Sequence, residues 1–479
     1  MIKTTKSFFE KYFILFFIGI LAIAGFNYFY HLDAERVWDW DEARAGVTAY
    51  EMIQNHNFVV STFAHQNDLW NLKPPLGAWF IVLDYKLFGF NVFALRFYSG
   101  FCCFLSLLAV AWIMVRTVGK IPALISCFIL TTTSSMIFSH GARSGDYSPL
   151  FTLLVLFFII CLLLSKTKPF YLYLAGIVFS ISFLVYSFAA FQLFVLAIIY
   201  WLITKDYKKI RFKNYLIFIL CAFIPILAWA VWRLCNVDGW AFLRGMVSYD
   251  LIKRATQPLE GHVGNFDSYI VDLAKYDCFW FVFMVMILIS FFCVIGINLK
   301  FNNRLLTLST LGLLVPYVLF SLAKTKLGWY VIPAYPSFAI TAGCLTGILL
   351  NDSRCRTAGK VFILIIFLIA GIRAEREIQK TIDAPVQETA QSILNDFKKT
   401  NYVPNSAIYR KGWTQSNYFV SEVVCGLNPV DVNDLKECLN HPGYLMLEKD
   451  KVSTDSQDFV KFHRLNVILQ NEDWMIVKL

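Results

Sequence analysis

Long apolar runs separated by short polar breaks fill the first three quarters of the chain, and a mixed polar segment follows them. A bilayer core takes about 20 mostly apolar residues per helix. Runs of this kind predict about eleven helices, near 12–31, 91–115, 121–139, 148–165, 170–187, 188–203, 214–234, 277–297, 305–322, 330–350 and 360–373. The first run, Phe13 to Tyr30, is followed by Asp33 and Glu35 and has no small-residue cleavage site, so it predicts a retained helix and not a signal peptide. Two breaks are long, about 32–90 and 235–276, and their many Trp and Tyr argue for ordered, functional loops. In the first, Asp41 to Asn55 places Ala45, Val47, Tyr50, Met52 and Ile53 at helical spacing behind an acidic start, and Pro75 to Phe88 is a second amphipathic stretch. Both predict helices lying along a membrane surface. The tail combines a helical pattern near Val386 to Lys399 with apolar runs at Tyr444 to Leu447, Leu465 to Leu469 and Trp474 to Val477. The fold class that follows is a multi-pass α-helical membrane region over 1–373 with a small soluble α/β domain over 374–479.

Composition supports this reading: 58% hydrophobic and 16% charged residues, against roughly 45–50% and 25% in soluble domains. The net charge of +10 could suggest nucleic acid, but its distribution argues otherwise. From Ala374 onward there are 12 basic and 15 acidic residues, a net of −3, which leaves +13 on the membrane region. That excess sits in alternate short loops, at Lys3, Lys6 and Lys11, Arg116 and Lys120, Lys166 and Lys168, Lys205 to Lys213, Lys300 and Arg304, and Arg354 to Lys360. Such loops face the cytoplasm. The expectation is therefore a cytoplasmic N-terminus, with both long loops and the tail outside. Ten of the 12 cysteines lie in or beside apolar segments; Cys425 and Cys438 lie in the tail, where a disulfide is chemically allowed if the tail is extracytoplasmic.

Four clusters carry candidate chemistry. Trp38-Asp39-Trp40-Asp41-Glu42-Ala43-Arg44 sets three carboxylates in four positions beside the membrane, which suits a proton-transfer task as well as a solvated helix start. In Asn71-Leu72-Lys73-Pro74-Pro75 the two prolines stiffen the backbone around Lys73, a compact cation suited either to phosphate or to snorkelling. His140-Gly141-Ala142-Arg143-Ser144-Gly145-Asp146 fills a short loop, where Arg143 and Asp146 also fit a simple ion pair. Around Ser321 to Tyr330, Lys324 and Lys326 stand at the outer end of a helix against the charge rule, so an anionic partner is the economical reading. The second long loop adds Arg254, Glu260 and His262.

In this order, Asp41-Glu42-Ala43-Arg44, Lys73-Pro74-Pro75, Asp146 and Ser321 to Pro336 resemble the successive motifs of the bacterial aminoarabinose transferases and protein O-mannosyltransferases. These are GT-C fold, family 39-like enzymes that take sugars from undecaprenyl or dolichyl phosphate. The resemblance spans roughly residues 1–373. It implies Asp41 as catalytic base with Glu42 beside it, and Asp146 as a second acid near the sugar. Lys73, Arg254 and Tyr330 would hold the donor phosphate, with Lys324 and Lys326 in support; Asp39, Arg143 and His262 are further candidates. Two departures bear on the sugar and acceptor: Leu72 where relatives often have Glu, and Tyr186-Ser187-Phe188 where a lysine is expected.

The expected activity is transfer of a sugar from a polyprenyl phosphate to a hydroxyl or phosphate of a glycolipid, glycan or protein, at the outer face of a bacterial cytoplasmic membrane. Asp41 would deprotonate the acceptor, which displaces the lipid phosphate with inversion. No obligate cofactor is expected, although the carboxylates could hold Mg²⁺ or Mn²⁺. The alternative is a transporter or flippase of an anionic lipid-linked sugar. Such proteins set ionisable groups near the bilayer midplane in repeated halves, whereas these acids lie at one face and no internal repeat is visible.

Overall fold

A computed structural model of the chain describes residues 8–295, 303–449 and 455–479. Lys3, Lys6 and Lys300 lie outside the described residues. The chain is a multi-pass helical membrane protein. By length and composition, seven described helices can cross a bilayer: Val92–Thr117, Phe170–Thr204, Phe212–Asn236, Cys278–Ile295, Arg304–Leu322, Gly328–Asn351 and Thr357–Asp383. Shorter apolar helices span Phe13–Phe29, Lys120–Thr131 and Ser148–Leu164. The two helices expected at 170–187 and 188–203 are Phe170–Tyr186 and Gln192–Thr204, joined by a 3₁₀ turn over Ser187–Phe191. Ser187 has a φ of +57°, outside the helical region, and there the helix stops.

The last span runs well past residue 373. Apolar side chains thin out after Gly371, but backbone hydrogen bonding needs no apolar surroundings, so Thr357–Asp383 continues through Arg376 and Lys380. By packing, the chain divides into two compact units, and the tail part of the second begins at residue 384. The first comprises residues 1–30, 69–77 and 98–383; the second joins 31–68 and 78–97 to 384–479. Much of the first loop thus belongs with the tail.

The first unit is built on a continuous apolar core that includes Tyr28, Met114, Trp280, Phe283 and Phe338. Close approaches occur where a side chain is missing. A Cβ on Gly343 would lie 2.0 Å from Ser126 Oγ, and one on Gly371 would lie 2.2 Å from the Phe128 ring. Polar clips add direction, such as the Trp280 indole N–H donating to the Thr132 carbonyl at 2.9 Å.

In the second unit the first-loop helix spans Asp41–Gln54 and the next Leu76–Phe88, close to their expected bounds. A two-residue hairpin joins β1 (Thr62–Phe63) to β2 (Gln66–Asn67). The tail helix is Thr389–Phe397. Five tail strands follow: β3 (Ala407–Arg410), β4 (Asn428–Asp431), β5 (Tyr444–Glu448), β6 (Asn466–Gln470) and β7 (Trp474–Lys478). They form one mixed sheet in the order β4-β3-β5-β7-β6, parallel across β4-β3-β5 and antiparallel across β5-β7-β6. One face covers a small core of Tyr409, Cys438, Leu445, Leu447, Met475 and Val477. Helix Asp41–Gln54 reaches the tail through Gly46, where a Cβ would sit 2.5 Å from the Phe419 ring.

Candidate functional site

In the membrane unit the site begins at Asp146, just before helix Ser148–Leu164. One carboxylate oxygen accepts the Ser148 backbone N–H at 2.7 Å and the Ser148 hydroxyl. The other lies 3.2 Å from His140 Nδ1. Burial pushes this carboxyl up, but the His140 imidazole, the Lys73 ammonium and the Ser148 hydrogen bond outweigh it, so Asp146 is held below the usual carboxylate range. Tyr98 and Ser99 donate to its backbone carbonyl and fix the loop from behind.

His140 is placed by an unusual turn, with φ of +32° at Ser139 and +67° at His140. The turn needs Gly141, where a Cβ would lie 2.4 Å from the Met136 carbonyl oxygen. The imidazole stacks on Trp329 with ring centres 3.9 Å apart, and His262 meets the same indole edge-on at 5.7 Å. Arg143, from the same loop, donates to the Asn27 and Tyr30 carbonyls at 3.3 and 2.7 Å and so caps helix Phe13–Phe29.

Lys73 stands over two phenol rings, 5.6 Å from the Tyr147 centre and 5.1 Å from that of Tyr186. Tyr186 shares a hydrogen bond with the Ser148 hydroxyl at 2.9 Å and lies 6.3 Å from Tyr330, ring centre to ring centre. It therefore links the lysine, the Asp146 loop and Tyr330. Sequence reasoning treated Tyr186 only as a replaced lysine; its place just before a helix-ending residue was the available signal.

Arg254 completes the group. Its Nε donates to Asp250 at 3.0 Å and its Nη2 to Glu260 at 3.4 Å, while Nη1 is buried and has no hydrogen-bond partner among the described residues. Burial works against its charge, but nearby Tyr330, Asp250 and Glu260 outweigh that and raise its pKa. The loop carrying it is clipped to residues 324–326: Lys324 N donates to Ala255 O, Thr325 N to Arg254 O and Lys326 N to His262 O, each at 3.1 Å. Arg254, His262, Trp329 and Tyr330, far apart in sequence, are thus held together.

Lys326, expected to support the phosphate, is engaged by its own preceding helix. Its ammonium donates to the carbonyls of Phe320, Ser321 and Ala323 at 3.2, 2.5 and 2.6 Å. All three donors thereby close the C-terminus of helix Arg304–Leu322, where the macrodipole favours a cation. Lys324 is exposed.

In the second unit Asp41 is half-buried at the start of its helix, directly after Trp40, whose φ is +67°. Glu42, expected beside the base as a catalytic group, has a structural partner instead. Arg96 grips both its oxygens, at 2.7 and 3.0 Å, and the Trp38 N–H donates to the second at 2.9 Å. Arg96 also donates to the carbonyls of Leu32, Glu35 and Arg36, so one buried pair organises the turn before Asp41. A lone arginine in an apolar run was the clue. Asp39 accepts the Ser416 N–H at 2.8 Å and caps the tail turn beginning at Gln415. Cys425 and Cys438 are free, buried thiols that donate to different carbonyls, those of Leu394 and Leu435, so the allowed disulfide is not formed.

Residues 72–232 match the family described as dolichyl-phosphate-mannose-protein mannosyltransferase. An uncharacterised protein of Aquifex aeolicus is 26% identical over 75% of this chain and 68% of its own length. The undecaprenyl phosphate-α-4-amino-4-deoxy-L-arabinose arabinosyl transferase of Enterobacter sp. (strain 638) is 25% identical over 67% of this chain and 58% of its own length. Among solved structures, ArnT from Cupriavidus metallidurans bound to undecaprenyl phosphate superposes with a TM-score of 0.68 at 13% identity, covering 96% of this chain and 97% of that one. The Archaeoglobus fulgidus oligosaccharyltransferase gives 0.57 at 11% identity, over 92% and 70%.

Proposed function

We propose that this chain, a glycosyltransferase of the GT-C fold that uses a lipid-linked sugar donor, moves a sugar from a polyprenyl phosphate, of the undecaprenyl kind, to an acceptor at the outer face of a bacterial cytoplasmic membrane. The acceptor is a hydroxyl or phosphate on a glycolipid, glycan or protein. The observation that carries the donor assignment is the Nη1 of Arg254, a charged donor already dehydrated and without a hydrogen-bond partner among the described residues, in a cluster with Tyr330, Tyr186 and Lys73. Burying such a donor is costly unless an anion completes it. A lipid phosphate fits that need and uses Lys73 and Tyr330 together with Arg254.

In the proposed step Asp41 takes the proton of the acceptor hydroxyl, and the oxygen attacks the anomeric carbon. The bond from that carbon to the phosphate oxygen breaks, its electron pair stays on the lipid phosphate, and the anomeric centre inverts. Lys73, Arg254 and Tyr330 stabilise the growing phosphate charge, with Lys324 at the margin. Asp146, kept ionised and hydrogen-bonded, orients sugar hydroxyls and balances the cations. Glu42 acts through Arg96 as a positioning residue. The outward orientation rests on the basic loops, Lys205 to Lys213 above all.

The cations neutralise the phosphate without a metal in this reading, and transfer measured with EDTA present, under conditions where the fold stays intact, is expected to persist. The decisive experiment compares surface lipids and glycans by mass spectrometry with and without the gene, and with the chain carrying Asp41→Asn. A mass difference of one sugar, lost on deletion and lost again with the inserted Asp41→Asn protein, is the expected result. Full transfer by Asp41→Asn would remove the proposed base.

A further inference from the structure

The tail-bearing unit holds a second group of ionisable side chains that the transfer reaction does not use. Glu51 lies near the end of helix Asp41–Gln54, His65 in the hairpin turn between β1 and β2, and Glu422 in the π-helical segment Val420–Val424 of the tail. The packing of Gly46 against the Phe419 ring brings helix and tail segment together. One donor atom from each of the three residues lies within 4.8 Å of the others.

The two glutamate side chains are sealed from solvent, at 0% and 3% exposure, while the imidazole is 60% exposed. Each carboxylate spends one oxygen on His65. Glu51 Oε1 accepts the His65 backbone N–H at 2.9 Å, and Glu422 Oε1 lies 2.9 Å from His65 Nε2. The second oxygen of each, Glu51 Oε2 and Glu422 Oε2, is buried with no hydrogen-bond partner among the described residues. Two buried carboxylates share one site with a single, partly solvated imidazole. Such a site lacks positive charge, and orphaned carboxylate oxygens cost far more than neutral polar groups.

Backbone geometry holds the imidazole in place. Ala64 and His65 have φ of +52° and +60°, the region a tight two-residue hairpin turn requires and that glycine or asparagine normally fills. The turn points His65 back over the helix and the tail.

We infer that Glu51, His65 and Glu422 form a divalent transition-metal site of the zinc class, using the two orphaned Oε2 atoms and one ring nitrogen of His65, with water in the remaining position. An imidazole with carboxylates is a donor set that Zn²⁺ accepts in tetrahedral sites, whereas Mg²⁺ and Ca²⁺ prefer all-oxygen cages. The ion would join helix Asp41–Gln54, the hairpin and the tail at one point. Its role is structural: the helix that begins with Asp41 would be fixed at its far end.

The test uses the full-length chain in detergent, produced in zinc-supplemented medium and purified without metal-affinity resin. Elemental analysis is expected to find ~1 Zn²⁺ per chain and less than about a tenth of that in Glu51→Gln/Glu422→Gln and in His65→Ala; Asp41→Asn should keep the wild-type content. Wild-type protein stripped with EDTA should unfold at a lower temperature and recover when Zn²⁺ alone is added back, while His65→Ala should respond to neither treatment. Should the double glutamine variant fail to fold, His65→Ala, altered only at a solvent-facing side chain, still decides the matter. Wild-type protein that takes up no Zn²⁺, His65→Ala protein with undiminished Zn²⁺, or a site that takes only Mg²⁺ would each overturn the assignment. None of these readings depends on transferase activity, so failure here leaves the proposed reaction untouched, and the reverse also holds.

Discussion

The guanidinium of Arg96 meets the carboxylate of Glu42 edge to edge, Nε to one oxygen at 2.7 Å and Nη2 to the other at 3.0 Å, with both side chains almost wholly buried. Removing one partner leaves a dehydrated charge. Arg96→Leu is expected to destabilise the protein by about 3–5 kcal/mol, because it also strands the carbonyls of Leu32, Glu35 and Arg36. Glu42→Gln keeps the shape and should cost less, about 1–3 kcal/mol. Thermal unfolding in detergent measures both. Folded Glu42→Gln protein should keep transfer within about tenfold of wild type, less than the 10²–10⁴-fold expected for a lost general base.

The phosphate assignment separates two cations that look alike in sequence. Arg254→Ala should lower kcat/KM about 10²–10³-fold, the size of a lost donor to developing charge. Arg254→Lys should recover only part of it, since an ammonium cannot make the same fork. Lys326→Met, which uncaps helix Arg304–Leu322, should lower the unfolding temperature and leave the KM for the lipid donor unchanged. A raised donor KM in Lys326→Met would return that lysine to the site.

Tyr186 offers a finer test. Tyr186→Phe keeps the ring under Lys73 and removes the hydroxyl that bonds Ser148, a hydrogen bond worth about 0.5–1.5 kcal/mol. Initial rates should fall by about threefold to tenfold, whereas Tyr186→Ala, which also removes the ring, should lose much more. Equal rates for the two variants would show that the ring contributes nothing.

Asp277 predicts a pH dependence. It accepts the Ser134 N–H at 2.6 Å, yet burial dominates and pushes its carboxyl up from 3.8 to about 6, against the lowering effect of the Ser135 and Ser134 hydrogen bonds. The folded protein therefore holds a proton there that the unfolded chain has released. This contribution is fully present below the unfolded value near 4 and lost as pH rises through about 6. Asp277→Asn should flatten the unfolding temperature between pH 4 and 7 relative to wild type. A profile identical to wild type would refute the assignment.

The membrane region was readable because its signal is local: twenty apolar residues in succession are visible without knowing what they touch. Tail strands β5, β6 and β7 were readable for the same reason, each a short apolar run between turns. Partners were harder to read. Lys326 next to a helix end looks the same whether it awaits a phosphate or caps the carbonyls behind it. Glu42 looked catalytic because Arg96, its partner, lies beyond Lys-Pro-Pro in a different helix. The length of the last membrane helix was hard to read because apolarity stops near residue 373 while the helix, which depends on its own backbone, continues to Asp383. His65 gave no sign at all, since its importance comes from two glutamates in distant segments.

The unit that carries Asp41 is assembled from stretches far apart in the sequence, residues 31–97 in part and 384–479. The ribosome delivers the first loop long before the sheet-forming tail exists. Until the segment that carries Phe419 is made, nothing can close over Gly46 at that point, and the loop waits in an unfinished state. A stop codon between residues 384 and 419 therefore removes more than a peripheral domain, because it also withdraws the surface on which the segment bearing the proposed base takes shape. Quality-control proteases would meet such truncated chains as inserted membrane proteins with an unfolded first loop.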